Sequence, residues 1–359
     1  MIVAGGGTGG HVFPGIALAE AFLSLCPDGV VTFVGTKEGL EARVVPERGF
    51  EIDFVPSGQV TGKGLRGVSG LLRIAAGFFR AAAVLRRRRP NLVFGVGGYA
   101  CAPAAAAAIL TRTPLFLQEQ NSVPGRSNRL FARRAIRVFT GFEGANLHLP
   151  PGRTEWTGNP LRAEIVKAAR ERGGEWPPEE PFTVLAIGGS RGAKAINSLV
   201  LSMARAGKLE GKEIRFLLQT GEADFAGVED AVRNEGLMVE AFAFTNRMGD
   251  MYPRCHAVLM RAGALSISEA ALFGRPCVLV PFPYSADGHQ TQNAREFCAS
   301  GAGTWMEQAD ATPQVVREAL WSLAGNRQAR EKARAAALSF ARPDAAVDAV
   351  RRALALCGS

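Results

Sequence analysis

Four histidines and six cysteines are scattered through 359 residues, and no C-x-x-C pair occurs. That spacing excludes a structural zinc site or a redox dithiol. The cysteines, at 26, 101, 255, 277, 298 and 357, sit mostly among apolar residues and read as reduced packing residues of a cytosolic protein. No D-x-D is present, which removes the usual way of bridging a divalent metal to a diphosphate. Three tyrosines and four tryptophans leave few platforms for stacking bases, and no nucleic-acid module is recognisable. The longest apolar stretch, 99–110, carries Pro103 and falls well short of the ~20 residues that span a bilayer. Glycines interrupt the start of the chain before a basic-then-apolar leader develops.

Positive charge is abundant. The net charge is +9 and the isoelectric point about 9.6, which points to an acidic partner: nucleic acid, an anionic membrane or a polyanionic substrate. Apolar residues make up 47% and charged residues 21%, the balance of an ordinary globular protein. The length accommodates two domains of roughly 100–200 residues each.

Short apolar runs recur: MIVA, VVTFVG, NLVFGVG, PLFLQEQ, AIRVFTG, FTVLAIGG, IRFLLQTG, AVLMRAG and PCVLVPF. Stretches of helical period alternate with them, at 18–25, 128–134, 196–206, 265–273 and 315–323. Alternation of this kind predicts βαβ units, hence two doubly wound parallel-sheet domains meeting near 157–162. Ligands of such sheets bind beyond the carboxyl ends of the strands. A last helix, near 345–356, could pack on either domain.

Two of the strands run into glycine loops that open a helix: AGGGTGGHVFPG at 4–15, and GGSRGA at 188–193. Gly5, Gly7 and Gly10 satisfy G-x-G-x-x-G. A nicotinamide enzyme also needs an acid at the end of the second strand to hold the ribose diol. Here that strand ends Gly35-Thr36-Lys37, with Glu38 late and behind a lysine, so the dinucleotide reading fails. What remains is a set of backbone amides at a helix N-terminus, suited to an anion or a polyhydroxyl group. His11 follows directly, either as a residue that caps or packs under the loop or as a general base.

In the second half, RAGALSISEA turns from a strand into a helix at Gly263. The amides of Gly263, Ala264 and Leu265 would face a phosphate, aided by the helix dipole. Glu269, one turn on, would accept from a ribose diol. The next strand leads into PFPYSADGHQTQNA, which places Asp287, His289, Gln290 and Asn293 where forked side chains suit sugar hydroxyls. A leaving diphosphate would be met by amides and cations, with Arg162 and the 189–192 loop as candidates.

GGTGGHVFPGIALA, GVGGYACAP, QEQNSVPGRSNR, TGNPLR, IGGSRGAKAIN and RAGALSISEA occur in order along nearly the whole chain. Together they resemble the MurG family of UDP-GlcNAc transferases of peptidoglycan synthesis, in glycosyltransferase family 28. The resemblance implies a GT-B fold, two Rossmann-like doubly wound domains facing a central cleft. Residues 1–158 would form an acceptor-binding, membrane-associating domain and 159–338 a UDP-GlcNAc-binding domain, with 339–359 returning to the first. It implies inverting transfer of GlcNAc to the MurNAc 4-hydroxyl of undecaprenyl-diphospho-MurNAc-pentapeptide (lipid I), giving lipid II, with no cofactor or metal needed for the chemistry.

Carried over by motif, His11 is the catalytic base. Thr8, Gly9, Gly10, Arg162, Ser190, Met248, Arg261, Gly263, Ala264, Leu265, Ser266, Glu269, Gln290 and Asn293 fall to the donor, with Met248 near the uracil. Gly7, Tyr99, Glu119 and Asn121 fall to the acceptor, the first glycine loop cradling its diphosphate. Five positions depart from the family's pattern: Cys101-Ala102 for Ser-Gly, Gln118 for His, Arg191 for Gln and His289 for Gln. The implied partners are UDP-GlcNAc, lipid I and the anionic cytoplasmic face of the inner membrane, with room for the cell-wall and division machinery; nucleic acid is not among them.

The stretch 65–90 sets Leu71, Leu72, Ile74, Phe78 and Phe79 among Arg66, Arg73, Arg80 and the arginines at 86–89. It reads either as a packing helix with a solvated charge run or as an interfacial helix; a lipid-linked substrate favours the second. The competing enzyme class is the non-hydrolysing UDP-GlcNAc epimerases, or another nucleotide-sugar enzyme of this fold.

Overall fold

The computed structural model describes residues 1–57, 65–189, 192–208 and 211–358, with side chains absent from the description until residue 75 in the helix that begins at Leu65. Ser190 and Arg191 therefore lie outside the described residues, as do the side chains of Arg66, Leu71, Leu72, Arg73 and Ile74.

In chain order the elements are β1 (Ile2–Ala4), α1 (Gly9–Leu25), β2 (Thr32–Gly35), α2 (Glu41–Glu47), β3 (Glu51–Phe54), α3 (Leu65–Arg88), β4 (Val93–Gly95), α4 (Cys101–Leu110), β5 (Leu115–Glu119), α5 (Arg126–Phe131), β6 (Arg137–Thr140) and β7 (Thr154–Trp156). The series continues with α6 (Ala163–Arg172), β8 (Phe182–Ile187), α7 (Lys194–Arg205), β9 (Ile214–Gln219), α8 (Glu222–Glu235), β10 (Val239–Phe242), α9 (Met248–Met251), β11 (Ala257–Met260), α10 (Ala264–Leu272), β12 (Cys277–Leu279), α11 (His289–Ala299), β13 (Gly303–Trp305), α12 (Pro313–Ala324), α13 (Arg327–Phe340) and α14 (Ala345–Cys357).

Two compact units result: Met1–Arg162 together with Asp344–Ser359, and Ala163–Pro343. The first holds a parallel sheet in the order β3-β2-β1-β4-β5-β6-β7, the second a parallel sheet in the order β10-β9-β8-β11-β12-β13. Both run outward from a central first strand and reverse direction beside it, so each is a doubly wound sheet with its switch point between β1 and β4 or between β8 and β11.

Side chains alternate across the sheet of the first unit. Ile2 and Ala4 join the core under α3 and α4, while Met1 and Val3 join the opposite core with α1 and α14. On that second face Phe94, Phe116 and Phe139 form a row across β4, β5 and β6, with centroids 5.6 and 6.2 Å apart. Glycine at 77 lets α3 lie against the chain leaving β3: a Cβ there would stand 2.1 Å from the Pro56 carbonyl oxygen, with Pro103 of α4 3.5 Å away. In the second unit Val184, Ala186, Phe216, Leu218, Leu259, Val278 and Val280 meet Ile196, Val200 and Met203 of α7 and Val316 and Leu320 of α12. Helix ends follow local chemistry: Thr312 caps α12 through the Val315 amide with Pro313 behind it, Asn326 caps α13, and α8 stops at Gly236 with φ +62.

Candidate active site

In the first unit, three loops leave the carboxyl ends of β1, β4 and β5 side by side. The β1 loop needs glycine at residue 7, where φ is +95. It also lies so close to the β4 loop that a Cβ on Gly98 would sit 2.1 Å from the Gly6 carbonyl oxygen. Thr8 precedes α1 with extended backbone, and its carbonyl accepts from the amides of His11 (3.0 Å) and Val12 (3.1 Å). Thr8 Oγ1 stands 3.4 Å from His11 Nδ1. The His11 ring packs on Gly97, where a Cβ would be 2.8 Å from Cδ2. Gly7, Thr8 and Gly10 are exposed and Gly9 and His11 half-buried. Tyr99 is exposed, its carbonyl accepting from Ser57 Oγ.

Glu119 ends β5 and is 2% exposed. Its Oε1 accepts from the Asn121 amide at 2.9 Å, its Oε2 from the Gly125 amide (2.9 Å) and Asn128 Nδ2 (2.8 Å). Burial pushes its carboxyl above the usual range, against the pull of those donors. Glu119 therefore shapes the 119–128 loop, in which Asn121 is half-buried. Gln120 Nε2 donates to the Val96 carbonyl and Asn159 Nδ2 to the Gln120 carbonyl, so the β4 loop, the β5 loop and the TGNPLR stretch are tied together. Arg162, last residue of that stretch, stacks on Phe13 of α1 with its guanidinium 5.0 Å from the ring centroid. Like Thr8, Gly9 and Gly10, it belongs to the first unit, whereas the other donor candidates lie in the second.

In the second unit a cavity of about 570 Å³ opens beyond β8 and β11, lined by Gly188, Gly189, Gly192, Lys194, Arg261, Gly263, Ser266, Phe282, Gln290 and Gln308. Its size is that of a small-molecule site, and the N-termini of α7 and α10 converge on it. Arg261 is buried, which lowers its pKa. Its Nη1 donates to the carbonyls of Val280 (3.0 Å) and Pro281 (3.1 Å), its Nη2 to Gln308 Oε1 (2.6 Å). Much of this arginine's hydrogen bonding thus builds the cavity wall. Gln290 Oε1 accepts from the Phe282 amide, and buried Asn293 donates to the Ala262 carbonyl, holding the α10 turn. Glu269 accepts from Tyr252 Oη at 3.3 Å. Ala264 and Met248 are buried and Leu265 half-buried. His289 Nδ1 donates to the Ala286 carbonyl at 2.7 Å.

Lys194, Phe282 and Gln308 were not singled out from sequence. Lys194 opens the helix of a recognised glycine loop, so its signal was present; Gln308 follows an edge strand and had none. Among the described residues no three His, Cys, Asp or Glu side chains stand close enough to hold a metal, and no helix is long and apolar enough to cross a membrane.

Two doubly wound units, each with a glycine-opened helix at its switch point and the second with a cavity of small-molecule size there, place the chain in the GT-B fold class. Profiles of the glycosyltransferase family 28 N-terminal and C-terminal domains match residues 1–140 and 183–348. The chain is 37% identical, over 96% of its length and 95% of the relative's, to the UDP-N-acetylglucosamine--N-acetylmuramyl-(pentapeptide) pyrophosphoryl-undecaprenol N-acetylglucosamine transferase of Geobacter sulfurreducens. Among solved structures it is similar to Acinetobacter baumannii MurG, with 26% identity, a TM-score of 0.80 and coverage of 99% and 98% of the two chains. It shares its fold with a Neisseria meningitidis UDP-GlcNAc 2-epimerase bound to UDP-GlcNAc, with TM-score 0.65 at 13% identity and coverage of 99% of both chains. The chain belongs to glycosyltransferase family 28, in the MurG family.

Proposed function

We infer that the chain transfers GlcNAc from UDP-GlcNAc to the MurNAc 4-hydroxyl of a polyprenyl-diphosphate-linked muramyl pentapeptide, with inversion at the anomeric carbon. The observation that carries this reading is the switch-point cavity of the second unit, in a chain that matches transferases of that reaction from end to end. The second unit takes the donor. The amides of Gly263 and Ala264 and the N-terminus of α7 meet the diphosphate, Glu269 the ribose diol, and Gln290 with its neighbours the sugar. The first unit takes the acceptor through the loops of Gly7, Tyr99 and Asn121. His11 removes the proton of the attacking hydroxyl, the new glycosidic bond forms as the bond to UDP breaks, and amides with Lys194 stabilise the departing diphosphate without a metal.

The same reading makes the chain a peripheral protein of an anionic membrane face. Phe79 on α3, Leu110 on α4 and Leu130 on α5 are 70%, 58% and 69% exposed, on helices packed in series, with Arg80, Arg129 and Arg133 exposed nearby. Part of the arginine run has other work. Arg87 and Arg88 pair with Asp53 at 2.5 and 3.1 Å, and Arg88 with Glu51 at 2.7 Å, pinning the end of α3 to β3.

Incubation with UDP-GlcNAc, with and without a lipid I analogue, tests the function. Disaccharide-lipid and UDP formed only with acceptor support it; acceptor-independent epimerisation of UDP-GlcNAc, or no turnover, overturns it.

A further inference from the structure

Glu41, the first residue of α2, is 1% exposed. Its Oε2 accepts from the Gly7 amide at 2.7 Å, and its Oε1 from both the amide and the hydroxyl of Thr36 at 2.8 Å each. Three glycines make room for it. A Cβ on Gly6 would stand 2.1 Å from the carboxyl carbon, on Gly35 2.5 Å from Cγ, and on Gly39 2.0 Å from Oε2. Glycine at 6, 35 and 39 is thus accounted for by the space this carboxylate takes.

A carboxylate leaves water only where donors replace its hydration. Its seat here is the one where a doubly wound sheet receives a ligand's phosphate, at the amides of the first glycine turn. We propose that Glu41 is the resident anion of this turn: a positioning residue that fixes the 5–10 loop, and through it His11, while the acceptor's diphosphate is met by groups other than the Gly7 amide.

The route from Glu41 to His11 is short. Gly7 is held by the carboxylate, Thr8 follows, and the Thr8 carbonyl receives the His11 and Val12 amides. On the far side Gly6 and the His11 ring abut Gly98 and Gly97, so a displaced Gly7 moves the imidazole against the β4 loop.

The catalytic half of this proposal rests on the transfer reading above and on His11 as base; the loop half does not. Hydrogen exchange of residues 5–12 reads the loop without any substrate. Glu41→Gln should speed exchange there by about tenfold or more, as expected for the loss of a hydrogen bond to a charged group, with the second unit unchanged. In turnover, Glu41→Ala should lower kcat by about tenfold or more while the KM for UDP-GlcNAc stays within about twofold. Sodium formate, which can occupy the vacated seat, should restore much of the rate to Glu41→Ala and slow its loop exchange. It should not do so for Glu41→Gln, whose side chain still fills the space, and sodium chloride at the same ionic strength should do neither. Unchanged loop exchange in Glu41→Gln overturns the proposal, as does a Glu41→Ala enzyme with undiminished kcat or one that formate does not rescue. If Glu41→Ala does not fold, Thr36→Val removes one donor to the same carboxylate and should give a smaller loss of the same kind. A wild-type protein without transferase activity would overturn the transfer reading and leave the exchange arm to decide the role of Glu41 in the loop.

Discussion

Phe78 and Phe79 are neighbours whose rings lie 5.4 Å apart at 68°, yet they serve different surroundings. Phe78 packs on the core shared by α3 and α4, whereas Phe79 is 70% exposed. Phe79→Ser should therefore weaken co-sedimentation with anionic vesicles roughly tenfold, about the free energy of burying one aromatic ring, with the melting temperature unchanged. Phe78→Ser should lower stability by about 2 kcal/mol, since half-buried rings lose less than core ones. Equal vesicle binding by the wild type and Phe79→Ser would remove this face from the membrane reading.

The nine apolar runs picked out in the sequence are β1, β2, β4, β5, β6, β8, β9, β11 and β12. The strands without such a signal are β3, β7, β10 and β13, the edges of the two sheets. An interior parallel strand is covered on both faces and reads as a continuous apolar run. An edge strand is half-exposed, and segments such as Glu51–Phe54 or Thr154–Trp156 carry polar residues accordingly.

The site divides in the same way. Glycine loops at strand ends were legible because amide-rich turns need glycine in series. Glu41 was not, because an acid in the first turn of a helix ordinarily faces solvent and the dipole; only the fold shows the turn from β2 folding it inward. Glu119 was legible by resemblance as a contact residue, but its oxygens are taken by its own loop.

Glu269 gives a direct test of donor orientation. If its carboxylate holds the ribose diol, UDP should bind the wild type about tenfold more tightly than 2′-deoxy-UDP, the worth of a hydrogen bond to a charged acceptor. Glu269→Ala should bind both nucleotides equally. Calorimetric titration of the four pairs completes the cycle, and an unchanged preference in the variant would place the diol elsewhere.

Lys194 is expected to act on the diphosphate rather than on the nucleoside. Lys194→Ala should raise the KM for UDP-GlcNAc about tenfold and leave uridine inhibition as it was. A parallel loss of uridine binding would mean that the lysine supports the cavity as a whole.

His11→Ala should lower turnover about a hundredfold or more, the usual contribution of a positioned base, with UDP affinity within about twofold. The cavity proposed for the nucleotide lies in the other unit, so the two effects should separate. Near wild-type turnover in the variant would move the base to another group.

His256 predicts the acid limb of stability. It is fully buried between Phe182 and Trp176, with ring centroids 5.0 and 6.0 Å away, and its Nδ1 accepts from the Thr183 amide at 3.0 Å. Burial and then the charge of Arg330 push its pKa down to about 4, with Arg275 adding to the effect and Glu179 opposing it. A histidine held neutral in the fold takes up its proton first in the unfolded chain. Stability is then flat above about pH 6.5, falls as the pH drops from there toward 4, and levels below that, losing up to about 3 kcal/mol across the window. Glu179, which burial raises but Arg330 pulls below the ordinary carboxylate range, adds a further loss that begins as the pH falls below about 4.5. Urea unfolding of the wild type and His256→Asn between pH 7.5 and 4 should show the slope in the first and a flatter curve in the second, because asparagine can still accept from Thr183 but does not titrate. Parallel curves would assign the acid limb to the carboxylates instead.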